Sequence, residues 1–327
     1  MISRNLGRHI LAGLCSALFI SAGAAHAAYP ERPVTIVVNF PAGGPLDLVA
    51  RIVAAEASKD LKQPVVVENK AGASGTIGAE NVARSQPDGY TLLLSVDTLA
   101  TVNPFVYKSG GFDANTALAP ISMAGSFNQV LVANPALGVK TLSDFLAKAH
   151  KKNLTYASAG VASPGHLTME AFSLDTHAPL THIPYKGNAP ATSDLLGGQV
   201  DAGFLIVAGV IQHINNHKLV PLAVSGKERD ILLPNVPTIA ESGIPGLENF
   251  DVGFGYVMMA PKDTPKEILD QWSGLIAKIF KEPSVLEKLK ASNIVPTHGT
   301  PEETKAFLEK TAKQWEAVVK EANISVN

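Results

Sequence analysis

The chain has 327 residues, with 27 Lys+Arg against 29 Asp+Glu, one Cys, 27 Gly and 22 Pro. Charged residues are 17% and hydrophobic residues 46% of the total, which excludes a disordered chain. A net charge of −2 leaves no basic footprint for nucleic acid, and a single Cys excludes a disulfide framework and a multi-cysteine metal centre.

The length suits one large domain or two lobes of ~100–200 residues each. Residues 1–9 carry Arg4 and Arg8 and no acid, and residues 10–25 are apolar and small. The run of about 16 residues is short of the ~20 needed to span a bilayer. It ends in Ala25-His26-Ala27, small residues at −3 and −1 of a cleavage point. A basic start, a short apolar core and small residues at that spacing form a secretory signal peptide, cut after Ala27. Its removal takes away Cys15 and two Arg, leaving 25 basic against 29 acidic residues, a net charge of −4 and no cysteine.

Strands and helices then alternate. The spacing predicts strands at 34–39, 65–67 and 91–96, with helices at 46–57 and 77–84 between them. Residues 121–133 read as one long extended segment. A second alternation follows: strands at 154–158, 181–184, 202–207 and 220–225, helices at 166–175, 189–196 and 209–217. This rhythm predicts an α/β fold with parallel sheets covered on both faces. Another extended segment spans 250–259. The last third is mostly helical. Thr264-Pro265-Lys266-Glu267 and Thr300-Pro301-Glu302-Glu303 both predict a capping box with Thr at N-cap, and 141–144 is a similar start. Trp272 and Trp315 fall in the apolar stripes that follow and are assigned to the core. The two extended segments bracket a middle block, as in a chain that leaves one lobe, builds another and returns. The expected lobes are 28–127 with 253–327, and 128–252.

One local form occurs twice. Phe40-Pro41-Ala42-Gly43-Gly44-Pro45-Leu46-Asp47 follows a strand and opens a helix, with Gly44 at N-cap and Pro45 first. Ser158-Ala159-Gly160-Val161-Ala162-Ser163-Pro164-Gly165-His166 does the same, with Ser163 at N-cap and Pro164 first. Glycines admit close approach to the backbone, and helix N-termini offer unpaired N–H groups and a positive dipole end. Read singly, each is an ordinary strand-to-helix turn. Read as a pair, one per lobe, they form an anion site that needs no Arg. Gly72-Ala73-Ser74-Gly75-Thr76-Ile77-Gly78 resembles a nucleotide loop but lacks the G-x-G-x-x-G spacing, and is assigned to a tight turn. No Walker A or G-x-S-x-G sequence occurs. Ser163 with His166 leaves an exported hydrolase open as an alternative, and His213 with His217 are read as surface residues rather than metal ligands. Asp97 is either an N-cap or a residue at the ligand crevice.

These residues carry a family resemblance. Tyr29-Pro30-Glu31-Arg32-Pro33, the Phe40–Gly44 run with Asp47, Ala50 and Arg51, and Val66-Val67-Glu68-Asn69-Lys70 match in order and spacing the Bug, or tripartite tricarboxylate transporter, solute-binding proteins of bacteria. So do Pro87-Asp88-Gly89-Tyr90-Thr91-Leu92-Leu93, Pro184-Tyr185-Lys186-Gly187, Asp194-Leu195-Leu196-Gly197-Gly198-Gln199-Val200-Asp201 and Gly299-Thr300-Pro301-Glu302-Glu303. The resemblance implies a type II periplasmic binding protein fold: two α/β lobes joined by two crossing strands, with the ligand cleft between them. It implies a monomeric periplasmic receptor, without a cofactor or a metal, that captures a small organic carboxylate by hinge closure. Delivery would be to the membrane permease subunits of a tripartite tricarboxylate-type transporter, or the receptor would serve sensing. The residues expected at the ligand are Phe40, Pro41, Ala42, Gly43, Gly44 and Asp47 from one loop, and Ser158, Gly160, Ala162, Ser163 and His166 from the other. Ser95, Thr98, Lys186, Ala189, Leu205 and Tyr256 complete the expected lining. Where many relatives carry Phe-Asp-Asn, this chain has Gly203-Phe204-Leu205-Ile206, and near Tyr256 it lacks a Trp. Such an apolar wall suits an aromatic or alkyl carboxylate, dicarboxylates included.

Overall fold

The computed structural model describes residues 29–107 and 112–325, so the expected signal peptide, its cleavage point and Cys15 lie outside the described residues. From Arg32 onward the chain forms one compact unit. Its strands are β1 (Val34–Val38), β2 (Val65–Asn69), β3 (Thr91–Val96), β4 (Leu118–Phe127) and β5 (Gln129–Ala133), then β6 (Leu154–Ser158), β7 (Leu180–Pro184), β8 (Ala202–Ile206), β9 (Val220–Val224) and β10 (Phe254–Pro261). Helices of eight residues or more are α1 (Pro45–Leu61), α2 (Thr76–Ala83), α3 (Leu142–Ala149), α4 (Pro164–Thr176) and α5 (Asn188–Leu196), then α6 (Val207–Asn215), α7 (Lys266–Ile279), α8 (Pro283–Ala291) and α9 (Pro301–Glu321).

The strands form two sheets of identical order, β2-β1-β3-β10-β4 and β7-β6-β8-β5-β9. In each, the first three strands are parallel and the fourth is antiparallel to both neighbours. That antiparallel strand is always a crossing segment. β4 ends at Phe127 in the first sheet and β5 begins at Gln129 in the second, and β10 returns to lie between β3 and β4. The single long extended segment expected at 121–133 is therefore two strands that serve different sheets. Asn128 alone separates them. A Cβ on Gly226 would lie 2.6 Å from Asn128 Oδ1, so the crossing is closed by a glycine.

β1 is buried at four of its five positions, as a strand covered on both faces must be. In the second sheet the pleat sends Phe204 into one hydrophobic cluster, with Tyr156 and Phe172, and Leu205 into another, with Val130 and Val207. Trp272 and Trp315 are both buried. Helix α9 packs on β4 and the turn Thr98–Thr101 of the first lobe and on α4 of the second. Trp315 stacks on Phe254 at 5.4 Å, Phe254 on its strand partner Phe127 at 6.0 Å, and Phe127 on Tyr256 at 4.9 Å. This row of rings fastens the C-terminal helix to both crossing strands.

The capping boxes at Thr300 and Thr141 form. The one expected at Thr264 does not. The Thr264 N–H closes a turn on the Pro261 carbonyl at 3.0 Å, so Pro265 becomes the N-cap and α7 starts one residue later, out of reach of the hydroxyl. Thr264 Oγ1 is left buried without a partner among the described residues. The turn before α2 is tighter than its composition suggests: Gly72, Ala73, Ser74 and Gly75 all have positive φ, at 138°, 45°, 49° and 92°.

Candidate ligand site

In both sheets the order reverses beside the first strand, so the crevice of an open α/β sheet opens between β1 and β3 and between β6 and β8. The two matched loops leave the carboxyl ends of β1 and β6 at those two points. Their surroundings correspond as well. The Lys70 N–H donates to the Val38 carbonyl at 2.8 Å, and the Tyr185 N–H to the Ser158 carbonyl at 3.0 Å.

The first loop exposes Pro41, Ala42 and Gly43 and half-buries Phe40 and Gly44. Gly43 takes φ +85°, open to glycine at no cost. Gly44 is the N-cap of α1 and makes no side-chain cap, and Pro45 begins the helix. Asp47 Oδ2 accepts the Gly43 N–H at 3.0 Å and the Arg51 Nε–H at 2.9 Å, while its Oδ1 accepts from Arg51 Nη2 at 3.0 Å and from Asn69 Nδ2 at 2.9 Å. Burial pushes this carboxyl up, but Arg51, the Gly43 amide and Asn69 outweigh that and hold it below the usual range. Asp47 is thus a brace beneath the loop, with its charge matched, rather than a group free to meet a ligand.

The second loop half-buries Gly160 and Ser163 and buries Ser158, Ala162 and His166. The Gly160 N–H donates to Ser158 Oγ at 3.2 Å, the Ala162 N–H to His166 Nδ1 at 3.1 Å, and the Ser163 N–H to the Gly160 carbonyl at 3.2 Å. These three amides hold the loop's shape, which narrows what the loop can offer a ligand. Oriented so that each amide atom finds a partner, the Gln129 side chain accepts from the Gly165 N–H at 3.0 Å and donates to Thr168 Oγ1 at 2.7 Å. The first residue beyond the crossing therefore caps the helix that carries this loop. Ser163 Oγ is buried and lacks a partner among the described residues, while His166 Nδ1 is occupied by Ala162. The imidazole does not activate that hydroxyl.

The remaining expected residues divide. Lys186 and Ala189 are exposed on the segment after β7, next to the second loop. Ser95 is fully buried, its hydroxyl accepting from Asn39 Nδ2 at 2.9 Å and donating to the Val96 carbonyl at 3.0 Å. Leu205 is 1% exposed in a core cluster, Tyr256 is 2% exposed against Phe127, and Thr98 is 7% exposed. Asp97 stands at the N-cap position, but its side chain is fully buried rather than open to the crevice. It precedes the turn Thr98–Thr101 at the crevice end of β3, and its Oδ2 accepts the Gly255 N–H at 2.8 Å, tying β3 to the entry of β10. Its Oδ1 is buried without a partner among the described residues. The specific motif runs prove structural: Asp194 accepts from the Tyr185 hydroxyl at 2.8 Å, Asp201 from the Thr155 N–H at 2.8 Å, and Asp88 from Arg32 at 2.8 Å. Sequence reasoning missed Gln129, Glu170 and His182, which act on the second loop from β5, α4 and β7 and have no spacing relation to it.

The sequence profile of the tripartite tricarboxylate transporter family receptor matches residues 49–324. The chain is 38% identical over 296 residues to protein BugT of Bordetella pertussis, covering 90% of each chain. Among solved structures it is similar to Rpa4515 of R. palustris with adipate, at TM-score 0.84 and 31% identity, covering 91% of this chain and 100% of that one. It is also similar to the periplasmic binding protein BugD, at TM-score 0.80 and 35% identity, covering 91% and 100%.

Proposed function

Since the chain belongs to the tripartite tricarboxylate transporter receptor family, whose members are periplasmic solute receptors, we propose that it captures a small carboxylate between the Phe40–Asp47 and Ser158–His166 loops. The observation that carries this reading is the pairing of two helix N-termini, α1 and α4, at the switch points of two sheets of identical order. Each end directs the positive pole of a helix dipole at the cleft, and the pair favours an anion without a cationic clamp.

The lobes, 28–127 with 253–327 and 128–252, close about the two crossings, and the loaded monomer meets the permease subunits of a tripartite transporter. The ligand is an alkyl dicarboxylate. Support comes from the adipate held by Rpa4515. Two carboxylates suit a site with one helix N-terminus per lobe, since each lobe then gains a contact only when the cleft is shut.

The test is a thermal-shift screen of adipate, shorter and longer diacids, citrate and benzoate, beside mass spectrometry of ligand that co-purifies. A cognate diacid at a hundredfold excess over Kd stabilises the protein by about 2.7 kcal/mol, a shift of several degrees. A response to citrate alone would overturn the dicarboxylate assignment, and the absence of any response to carboxylates would overturn the receptor reading.

A further inference from the structure

The second loop is supported by a group of rings, two of them buried and His182 half-buried. Three rings from three elements stack beneath it: Tyr156 of β6, His182 of β7 and His166 of α4. The Tyr156 and His182 centroids lie 4.9 Å apart, and the two imidazoles lie 3.8 Å apart at an interplanar angle of 11°.

The hydrogen bonds at the rim fix the proton on His166 and hold His182 in place. His166 Nδ1 accepts the Ala162 N–H at 3.1 Å, so it holds no proton, and the neutral ring keeps its proton on Nε2, 3.7 Å from Glu170 Oε1. That carboxylate oxygen also accepts the Tyr156 hydroxyl. On the other ring, His182 Nε2 lies 2.6 Å from Ser158 Oγ. This hydroxyl donates to the Gly160 carbonyl at 2.9 Å and accepts the Gly160 N–H at 3.2 Å. In either tautomer, the hydrogen bond between His182 Nε2 and this hydroxyl fixes where Ser158 Oγ stands. Burial, with the neighbouring His182 second, lowers the His166 pKa to about 3, and burial lowers that of His182 to about 4.

The two residues so held are the loop's left-handed positions, Ala162 at φ +59° and Gly160 at φ +134°. Ala162 has a Cβ, which disfavours this conformation, so side-chain contacts must keep it there. His166 holds Ala162 directly, and His182 holds Gly160 through Ser158. We propose that His166 and His182 are positioning residues of the ligand site: as a neutral stacked pair they set the second loop in its receiving shape, without either ring touching the ligand. This deepens the reading of the two loops as a carboxylate site and rests on it. It replaces the expected lining role of His166, and gives His182 a role that its place on β7 did not suggest.

Four substitutions separate shape from bulk. His166→Asn keeps an acceptor where Nδ1 stands, and His166→Phe keeps only the ring; His182→Gln and His182→Phe make the same contrast at Nε2. Amide exchange at Ala162 and Gly160 is read by NMR in the full mature protein, and adipate affinity by calorimetry. His166→Phe is expected to speed exchange at Ala162 and weaken adipate about tenfold, the scale of one lost hydrogen bond. His166→Asn is expected to recover most of both losses, and the His182 pair to behave likewise at Gly160. Equal losses in the Asn and Phe variants, or wild-type exchange in His166→Phe, would overturn the proposal. If the wild type itself ignores adipate and the other carboxylates, the receptor reading fails while the exchange data still decide the positioning role. Should the Phe variants not fold, imidazole nitrogen spectra of the wild type decide: neutral rings with a bare His166 Nδ1 at pH 6 support the proposal, and an imidazolium there refutes it.

Discussion

Asp47 and His166 hold corresponding places in the two lobes. Each is the third residue of a helix opened by proline, and each accepts the backbone N–H of the residue four positions earlier, Gly43 at 3.0 Å and Ala162 at 3.1 Å. Each is followed four residues on by its own partner, Arg51 for Asp47 and Glu170 for His166. The same mechanical task is thus done by an ionised carboxylate neutralised by Arg51 in one lobe and by a neutral imidazole in the other. In neither lobe does the group that accepts the loop amide itself carry an unmatched negative charge, which suits an anion site.

The first-lobe brace leads to an asymmetry in stability. The Asp47 side chain is 5% exposed and satisfies Gly43, Asn69 and Arg51, whereas the Arg51 side chain is 54% exposed. Replacing Asp47 by Ala strands the Gly43 amide, removes one of the two acceptors of Asn69 Nδ2 and is expected to cost about 1–3 kcal/mol. Arg51→Ala removes a solvent-screened partner and is expected to cost under about 1 kcal/mol. Urea midpoints of the two variants check this, and equal losses would mean that the ion pair, not the capping bond, is what matters.

Glycines in the two loops divide into those needed for conformation and those needed for space. A Cβ on Gly43 meets nothing within 4 Å, but its φ of +85° penalises any side chain. A Cβ on Gly165 would lie 2.4 Å from the Phe204 carbonyl oxygen, which is backbone and cannot swing aside. Gly43→Val is therefore expected to leave the protein folded, with adipate affinity much reduced. Gly165→Ala is expected to lose about 2 kcal/mol or more of stability by pushing α4 off β8. Melting temperatures beside binding isotherms separate the two, and unchanged binding in Gly43→Val would remove the first loop from the site.

The parts of this fold that were legible in the sequence are those written in consecutive residues. Pro45 and Pro164 mark helix starts because a missing N–H costs nothing at the first position, so both loops are legible from consecutive residues. Thr264 was misread because the rule that fits Thr300 does not include a competing turn on Pro261. The expected lining departs further from the structure. Leu205 and Ser95 stand on strand ends that point toward the crevice, yet the pleat sends Leu205 into a core cluster and Asn39 engages Ser95. His182 meets Ser158 only because β7 runs parallel to β6 with Tyr156 opposite it in register, and no local pattern encodes that register.

The crossing between the lobes offers a test of coupling. A Cβ on Gly226 would lie 2.6, 2.8 and 2.9 Å from atoms of the Asn128 side chain, and Asn128 is the single residue between β4 and β5. Gly226→Ala is expected to displace Asn128 and with it Gln129, which caps α4, so adipate affinity falls although the substitution lies outside both loops. Because only side-chain atoms are struck, adding Asn128→Ala is expected to restore part of the loss. A double variant as weak as the single one would show that Gly226 is needed for its own backbone rather than for the crossing.

Asp97 makes stability depend on pH near neutrality. It is fully buried, and burial pushes its carboxyl up to about 7 despite the Gly255 and Thr98 backbone amides that favour its charged form. In the unfolded chain such a group loses its proton near about 4. Between those values the folded protein holds a proton that the unfolded chain has released, so this contribution is fully present below about pH 4 and is lost as pH rises toward 7. The slope for one group is at most about 1.4 kcal/mol per pH unit. Asp97→Asn keeps the shape, removes the titration and is expected to flatten the profile, so that its stability relative to wild type improves from pH 5 to about pH 7 and levels off above it. Urea midpoints across that range give the comparison. Parallel curves for the two proteins would mean that Asp97 is already ionised at pH 5 and that its Oδ1, buried without a partner here, finds a donor in solution.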